Sequence, residues 1–236
     1  MSDQNNNGFE FVYDPDTDGI MLVKCISDSE TVVIPQEYDG KPVTVIGPYC
    51  FIDVIDKSMV SKEIFVPECD NTSLKKLILP DSLLEIRYCA FMHCTSLKEI
   101  IIPENVQYIG PSAFLNCYSL SGIKFPERCR MVLRGVCRNC RSLEKADISG
   151  AYEIEYGAFM GCSMLNEVKI GNRLIKIGAM SFMDCTSPSS ITLPDSLVEI
   201  EKKAFWDTSI SDLYVPSGVY RQDDNIIRRT EVINEQ

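Results

Sequence analysis

The sequence predicts a repeat solenoid of coils about 23 residues long, mainly β with short turns or helical turns between strands. Three observations predict it. First, the segment Ala-Phe-x-x-Cys occurs at residues 90–94, 113–117 and 158–162, with variants at 181–185 and 136–140 and outer copies at Cys50-Phe51 and Ala204-Phe205. From Phe91 to Phe205 the steps are 23, 23, 22, 23 and 23 residues, Cys137 standing in one Phe position. Second, apolar columns keep that register. Ile46, Ile86, Ile109, Val132, Ile154, Ile177 and Ile200 lie five residues before the Phe position, and Val43, Leu83, Val106, Cys129, Ala151, Leu174 and Leu197 three earlier still. Third, Pro80, Pro103, Pro126 and Pro194 end the same short segment in four copies.

Along the chain, residues 9–25 come first. Phe9, Phe11 and Tyr13, then Ile20, Leu22 and Lys24, flank Asp16-Thr17-Asp18-Gly19, the pattern of a β-hairpin with a glycine-containing turn. Each coil then opens on a strand. Ile100 and Ile102 alternate with Glu99 and Ile101, the period of two of a half-buried strand, and proline turns the chain out of the ladder. No dozen-residue window carries a continuous helical stripe, so helix is expected only as a turn or two near Ala-Phe. Phe51 to Phe91 is 40 residues, an insertion near 53–70 that is either a projecting loop or a decayed repeat. Tyr214-Val215-Pro216-Ser217-Gly218 closes the last strand, and residues 221–236 are a polar, charged tail.

A coil this short cannot bury its own apolar face; stacking buries each column against the next. The consensus L-x-x-I-x-I-P-x-x-L-x-x-I-x-x-x-A-F-x-x-C resembles the BspA-like (Treponema pallidum-type) leucine-rich repeat over residues from about 32 to 216. The resemblance implies a right-handed solenoid with a parallel sheet lining a concave face, capped by the hairpin. The expected organisation is a tail and hairpin cap over 1–31, the solenoid over 32–216 and a C-terminal cap or tail over 217–236.

Composition limits the function. Thirty-four acidic residues against 23 basic ones give a formal charge of −11, which argues against nucleic acid and against anionic membrane surfaces. The acidity serves solubility and leaves a basic partner surface open. No run approaches a membrane span of roughly 20 apolar residues. Residues 1–8 lack the basic start and apolar stretch of a secretory leader. The expected location is therefore the cytoplasm, with the cell surface, by an unusual export route or after leader removal, as the alternative.

The residues that tempt a chemical reading are better explained by the repeat. Cys94, Cys117, Cys140, Cys162 and Cys185 fill one column, the place of a buried ladder of small apolar side chains. Cys137-Arg138-Asn139-Cys140 is formally C-x-x-C, but no second pair accompanies it and both thiols fall on core positions. The lone histidine, His93, takes a turn position that reads as solvent-facing and is otherwise Asn, Gly or Asp. Catalytic motifs are missing, so no enzyme activity, metal or cofactor is expected. Asn71-Thr72-Ser73 fits the glycosylation pattern and, without a leader, is expected to stay bare.

Binding surfaces on such rods come from outward strand positions that the core does not dictate. The candidate partner-binding residues are Lys76, Ile78, Glu99, Ile101, Lys124, Lys145, Asp147, Glu167, Lys169 and Tyr214, with Gly122, Ser190, Thr192 and Asp212 completing the stripe. Ile78 and Ile101, adjacent and aliphatic, and Tyr214 suit a protein interface. The expected function is a protein-interaction module binding along this face, a surface adhesin in its sharpest form, since members of the family it resembles include adhesins. The alternative is a structural scaffold that self-associates through sheet edges and the insertion.

Overall fold

The computed structural model describes residues 8–52, 71–188, 190–210, 213–222 and 226. The chain winds through about eight turns of a parallel-strand β-solenoid, and no helix occurs among the described residues. It enters through an antiparallel hairpin, β1 (Phe9–Asp14) and β2 (Gly19–Cys25), bulged between Glu10 and Phe11. β3 (Thr31–Val33), β4 (Glu37–Tyr38) and β5 (Lys41–Ile46) follow. From there each coil contributes strands in order: β6 (Lys76–Ile78) and β7 (Glu85–Ile86), β8 (Glu99–Ile100) and β9 (Tyr108–Ile109), β10 (Gly122–Lys124) and β11 (Met131–Val132). β12 (Lys145–Ile148) and β13 (Glu153–Ile154), β14 (Glu167–Ile170) and β15 (Lys176–Ile177), then β16 (Glu199–Ile200) and β17 (Tyr220–Arg221) complete them. The insertion over 53–70 lies outside the described residues.

From β6 to β15 each coil thus carries two strands where the sequence predicts one, while β16 and β17 both belong to the second ladder. The first ladder runs β3-β6-β8 and then β10-β12-β14. The second runs β2-β5-β7-β9 and then β11-β13-β15-β16-β17, built on the Ile86, Ile109, Ile154 column. Both ladders break at one junction: β8 is not paired to β10, nor β9 to β11. That seam is still bridged on the turn side, where the Ser112, Phe114 and Asn116 N–H groups donate to the Arg134, Val136 and Arg138 carbonyls at 3.0, 2.8 and 2.9 Å, and beside β8, where the Ser121 N–H donates to the Lys98 carbonyl at 3.1 Å.

The Ala-Phe segment is a turn and contains no helical turn. Its geometry is set by two left-handed residues per coil, two before and two after the Phe position. Tyr49, Cys89, Ser112, Met180 and Lys203 hold the first with φ of 54–57°, and His93, Asn116, Asn139 and Asp184 the second with φ of 60–61°. Asn, Asp and His tolerate this region better than most side chains, which explains the second column. Gly161 also belongs there (φ 77°), and a β-carbon on it would stand 2.5 Å from Asn139 Oδ1. Between the two left-handed positions, alternate N–H groups reach the next coil. The Phe91, Cys137, Phe159 and Phe182 N–H groups each donate at 2.8 Å to the residue preceding the next Phe position, at Ala113, Ala158, Ser181 and Ala204. The turn edge is therefore a third cross-coil ladder, and it points every Phe inward.

One continuous core fills the rod. Phe91, Phe114, Phe159 and Phe205 are fully buried, each contributing roughly 1.5–3 kcal/mol by transfer out of water. Phe91 and Phe114 stack at 5.2 Å, and Phe182 stacks on Phe159 and on Phe205 at 5.4 Å. Cys137 leaves the coil beside the seam without an aromatic ring.

The cysteine column is the expected buried ladder, and its polarity is used. The Cys117, Cys140, Cys162 and Cys185 thiols donate to the carbonyls of Phe91, Phe114, Cys137 and Phe159 at 3.0–3.2 Å. Each of these carbonyls already accepts a backbone N–H from its own coil, so the thiol takes the second lone pair. All ten described cysteines are free.

Beside the β2–β5 ladder, the hairpin is fastened to the first coils by an ion pair to the buried Asp14. Asp14, 3% exposed, accepts from Arg87 Nη2 at 2.8 Å, while its other oxygen accepts the Thr17 N–H and hydroxyl at 3.1 and 2.8 Å. Arg87 also reaches Glu85 at 3.1 Å, and its pKa is raised: partial burial acts against the cation, and the hydrogen bonds and charges of Glu85 and Asp14 outweigh it.

Candidate functional site

The first ladder presents two outward columns. One runs Lys76, Glu99, Gly122, Lys145, Glu167; the other runs Val33, Ile78, Ile101, Lys124, Asp147, Lys169. Strand alternation sends Leu77, Ile100, Ile123 and Ala146 into the core and these neighbours outward. Nine of the ten predicted site residues, from Lys76 to Lys169, therefore share this face, all exposed except half-buried Asp147. Tyr214 is exposed near the last coil, outside any strand; Asp212 lies outside the described residues.

The face divides by chemistry. Its central coils are self-neutralised. Lys145 Nζ lies 2.9 Å from Glu167 Oε2, Lys169 Nζ 3.1 Å from Asp147 Oδ2, and Lys124 Nζ 2.5 Å from Glu104 Oε1. Lys145 and Lys124 are shifted upward by those hydrogen bonds. Burial works against the Asp147 anion, but the Ser149 hydroxyl and N–H and the Lys169 ammonium outweigh it and hold the carboxyl below its usual range. Exposed pairs of this kind contribute roughly 0–1 kcal/mol each and occupy the charges a partner would use.

The N-terminal coils carry aliphatic side chains on the outward face as well as in the core. Val33 is 56% exposed, Ile78 43% and Ile101 84%. Val33 is the register partner of Ile78, and sequence reading missed it because residues 31–33 precede the first full motif. Between Ile78, Leu79, Ile101 and Pro103 lies a groove of about 260 Å³, with Lys76, Asp81 and Glu99 beside it.

His93 is less exposed than its turn position suggests. Its Nε2 lies 3.1 Å from Asn116 Nδ2, and Asn139 Nδ2 donates to Asn116 Oδ1 at 2.9 Å, a polar ladder on the turn edge. Asn71 Oδ1 accepts the Leu74 N–H at 2.9 Å. Cys137 and Cys140 are fully buried. Burial is the largest influence on Cys137, Cys140 and Cys162 and opposes their ionisation, while hydrogen bonds from Cys137 and Cys162 favour the anion at Cys140. No group of three His, Cys, Asp or Glu among the described residues is arranged to hold a metal, and no helix there is long and apolar enough to cross a membrane.

Comparison with known proteins agrees with this architecture. The BspA type Leucine rich repeat region matches in six copies over residues 67–166 and 152–234. No curated protein matches. Among solved structures, the leucine-rich repeat protein of Treponema pallidum superposes with a TM-score of 0.58 at 29% identity, over 78% of this chain and 89% of that one. A leucine-rich repeat protein of Eubacterium ventriosum gives a TM-score of 0.69 at 24% identity, over 94% of this chain and 55% of its own. A leucine rich cell surface protein of Faecalibacterium prausnitzii gives 0.59 at 25%, over 94% and 49%. This chain thus spans about half the length of the latter two. With its register, its stacked columns and the repeat match over more than half its length, the chain belongs to the BspA-type leucine-rich repeat family.

Proposed function

We propose that this chain is a protein-interaction module that binds a partner on the outward face of its first sheet, anchored at the N-terminal end of that face. The observation that carries the reading is the uneven chemistry of the face. Val33, Ile78 and Ile101 leave aliphatic surface and a groove open where the core needs none, while the central charges already pair with one another. Apolar anchors beside a polar, pre-paired surface are the arrangement in which a few buried side chains supply most of the affinity. The partner is accordingly a protein segment presenting aliphatic or aromatic side chains, with Tyr214 a separate contact at the far end.

Substituting Ile78 and Ile101 together with Asp tests this. Loss of heterologous binding with an unchanged monomer supports the module; a change in self-association by light scattering instead supports the scaffold alternative. Lys145→Glu combined with Asp147→Lys probes the centre of the face, and an unaltered partner affinity there confines the site to the apolar end.

The adhesin form of the reading adds a location outside the cell, in keeping with the description of the F. prausnitzii protein. Protease treatment of intact source cells separates the cases. Loss of the chain with a cytosolic marker spared supports surface display. Full protection retires the adhesin and leaves a cytoplasmic partner.

A further inference from the structure

We propose a second, independent interaction site on the turn edge of the coil around Cys137: a three-arginine receptor for an acidic segment of a partner protein. Arg134, Arg138 and Arg141 lie within eight residues of one turn, and all three are exposed. No ion pair engages any of them among the described residues, although the chain as a whole carries a charge of −11.

Two of the three are pre-ordered. The Arg141 guanidinium carbon stands 4.9 Å from the centre of the Tyr118 ring, and that of Arg134 stands 5.8 Å from the Tyr156 ring. Each tyrosine occupies the same column as its arginine, Tyr118 one coil before and Tyr156 one coil after, so the two guanidiniums lean to opposite sides of the turn. A guanidinium held over a ring loses side-chain freedom before any ligand arrives and keeps its planar fork of N–H donors available for a carboxylate. The one nearby acid with a visible role, Glu155, already accepts the Arg134 backbone N–H at 2.8 Å.

The surroundings choose the occupant. Neighbouring turn positions hold Ser112, Leu115, Met160 and Met164, the last 47% exposed, so the cationic patch has an apolar border and no carboxylate in these columns. Away from it the surface is net negative, so a long polyanion would run from the arginines onto repelling charge. An extended segment with spaced Asp or Glu and aliphatic neighbours reaches from the Arg141 fork past Arg138 to the Arg134 fork, beside Leu115 and Met164. This site is on a different edge from the sheet face and stands without it.

The test is fluorescence anisotropy of a labelled Glu-Leu oligopeptide titrated with the whole chain at low and at moderate salt. Binding that weakens with salt, and that falls at least about tenfold in Arg138→Glu with Arg141→Glu, is expected. Lys98→Glu with Lys202→Glu makes the same change in net charge elsewhere and should move the affinity far less. Arg138→Ala with Arg141→Ala, checked by circular dichroism, gives the same readout if the charge reversals disturb folding. No peptide binding at low salt, or equal losses in both pairs of variants, overturns the proposal. So does tighter binding of a sulfated oligosaccharide at the same arginines, or wild-type self-association that these variants abolish, since each names a different occupant.

Discussion

Replacing Arg87 with Met isolates the ion pair that, beside the β2–β5 ladder, fastens the hairpin to the solenoid. Methionine keeps most of the side-chain stem and removes the guanidinium, including the Nη1 that lies 3.4 Å from Met21 Sδ. Asp14 is then left 3% exposed, its charge answered only by the Thr17 N–H and hydroxyl. Stranding one partner of a buried ion pair costs about 3–5 kcal/mol. The two Thr17 bonds, and the 24% exposure of the Arg87 side chain, place this case at the lower end, about 3 kcal/mol. For a chain of this size that is a fall of roughly 6–12 °C in melting temperature. Asp14→Asn added to Arg87→Met removes the stranded charge and should return more than half of the loss. Thermal melts followed by circular dichroism give the magnitude, and hydrogen exchange gives the place, because nearest-neighbour coupling makes the β1 and β2 amides lose protection first. An Arg87→Met protein within about 0.5 kcal/mol of the parent, with hairpin amides unchanged, would refute the clamp.

Three further outcomes follow from the packing. Phe114→Ala should cost about 3–5 kcal/mol in urea unfolding, since the ring is fully buried and stacked on Phe91, whereas Cys137→Ala in the same column should cost far less. Ser112→Gly, at φ 55°, should gain up to about 1 kcal/mol by relieving a left-handed side chain, measured by the same unfolding curves. The buried thiols set an alkaline limit. Burial raises Cys25, Cys129 and Cys185 from 9.0 to about 12, so folded thiols hold protons that unfolded ones release. Stability is therefore full below pH 9 and falls between about 9 and about 12 as the unfolded state ionises; a pH series of melts reads the slope, and a thiol reagent should label these residues only after denaturation.

Much of this was legible in the sequence. The 23-residue register fixed the buried columns because Ile, Leu, Phe and Cys recur at offsets that only stacking explains. The second ladder was not legible, since a two-residue strand such as Glu85–Ile86 offers one inward side chain and no alternation to detect. The turn was open to a helical reading because left-handed φ at Met180 or Lys203 leaves no mark in residue type. Asn116, Asn139 and Asp184 did carry that mark. On the sheet face the exposed positions followed from alternation, but the Lys145–Glu167 and Lys169–Asp147 pairing depends on coil spacing and side-chain reach. The arginines at 134, 138 and 141 were visible as a local excess of charge, and were passed over because reading by columns treats outward residues as unconstrained.

The seam between β8/β9 and β10/β11 gives the rod a preferred place to yield. A stack of coils behaves as a chain of coupled units whose cooperativity is only as long as its couplings are strong. Where both strand ladders lapse together and the aromatic column passes through Cys137, the coils are joined by the turn-edge bonds, by the Ser119 and Ser121 N–H groups on the Thr95 and Lys98 carbonyls, and by the core. Under tension or heat this junction is expected to open before the others, parting the hairpin and the Ile78–Ile101 surface from the arginine turn and the far coils. The two proposed binding edges would then lie on opposite sides of the junction, so two partners could be gripped and released on separate clocks by a single continuous chain.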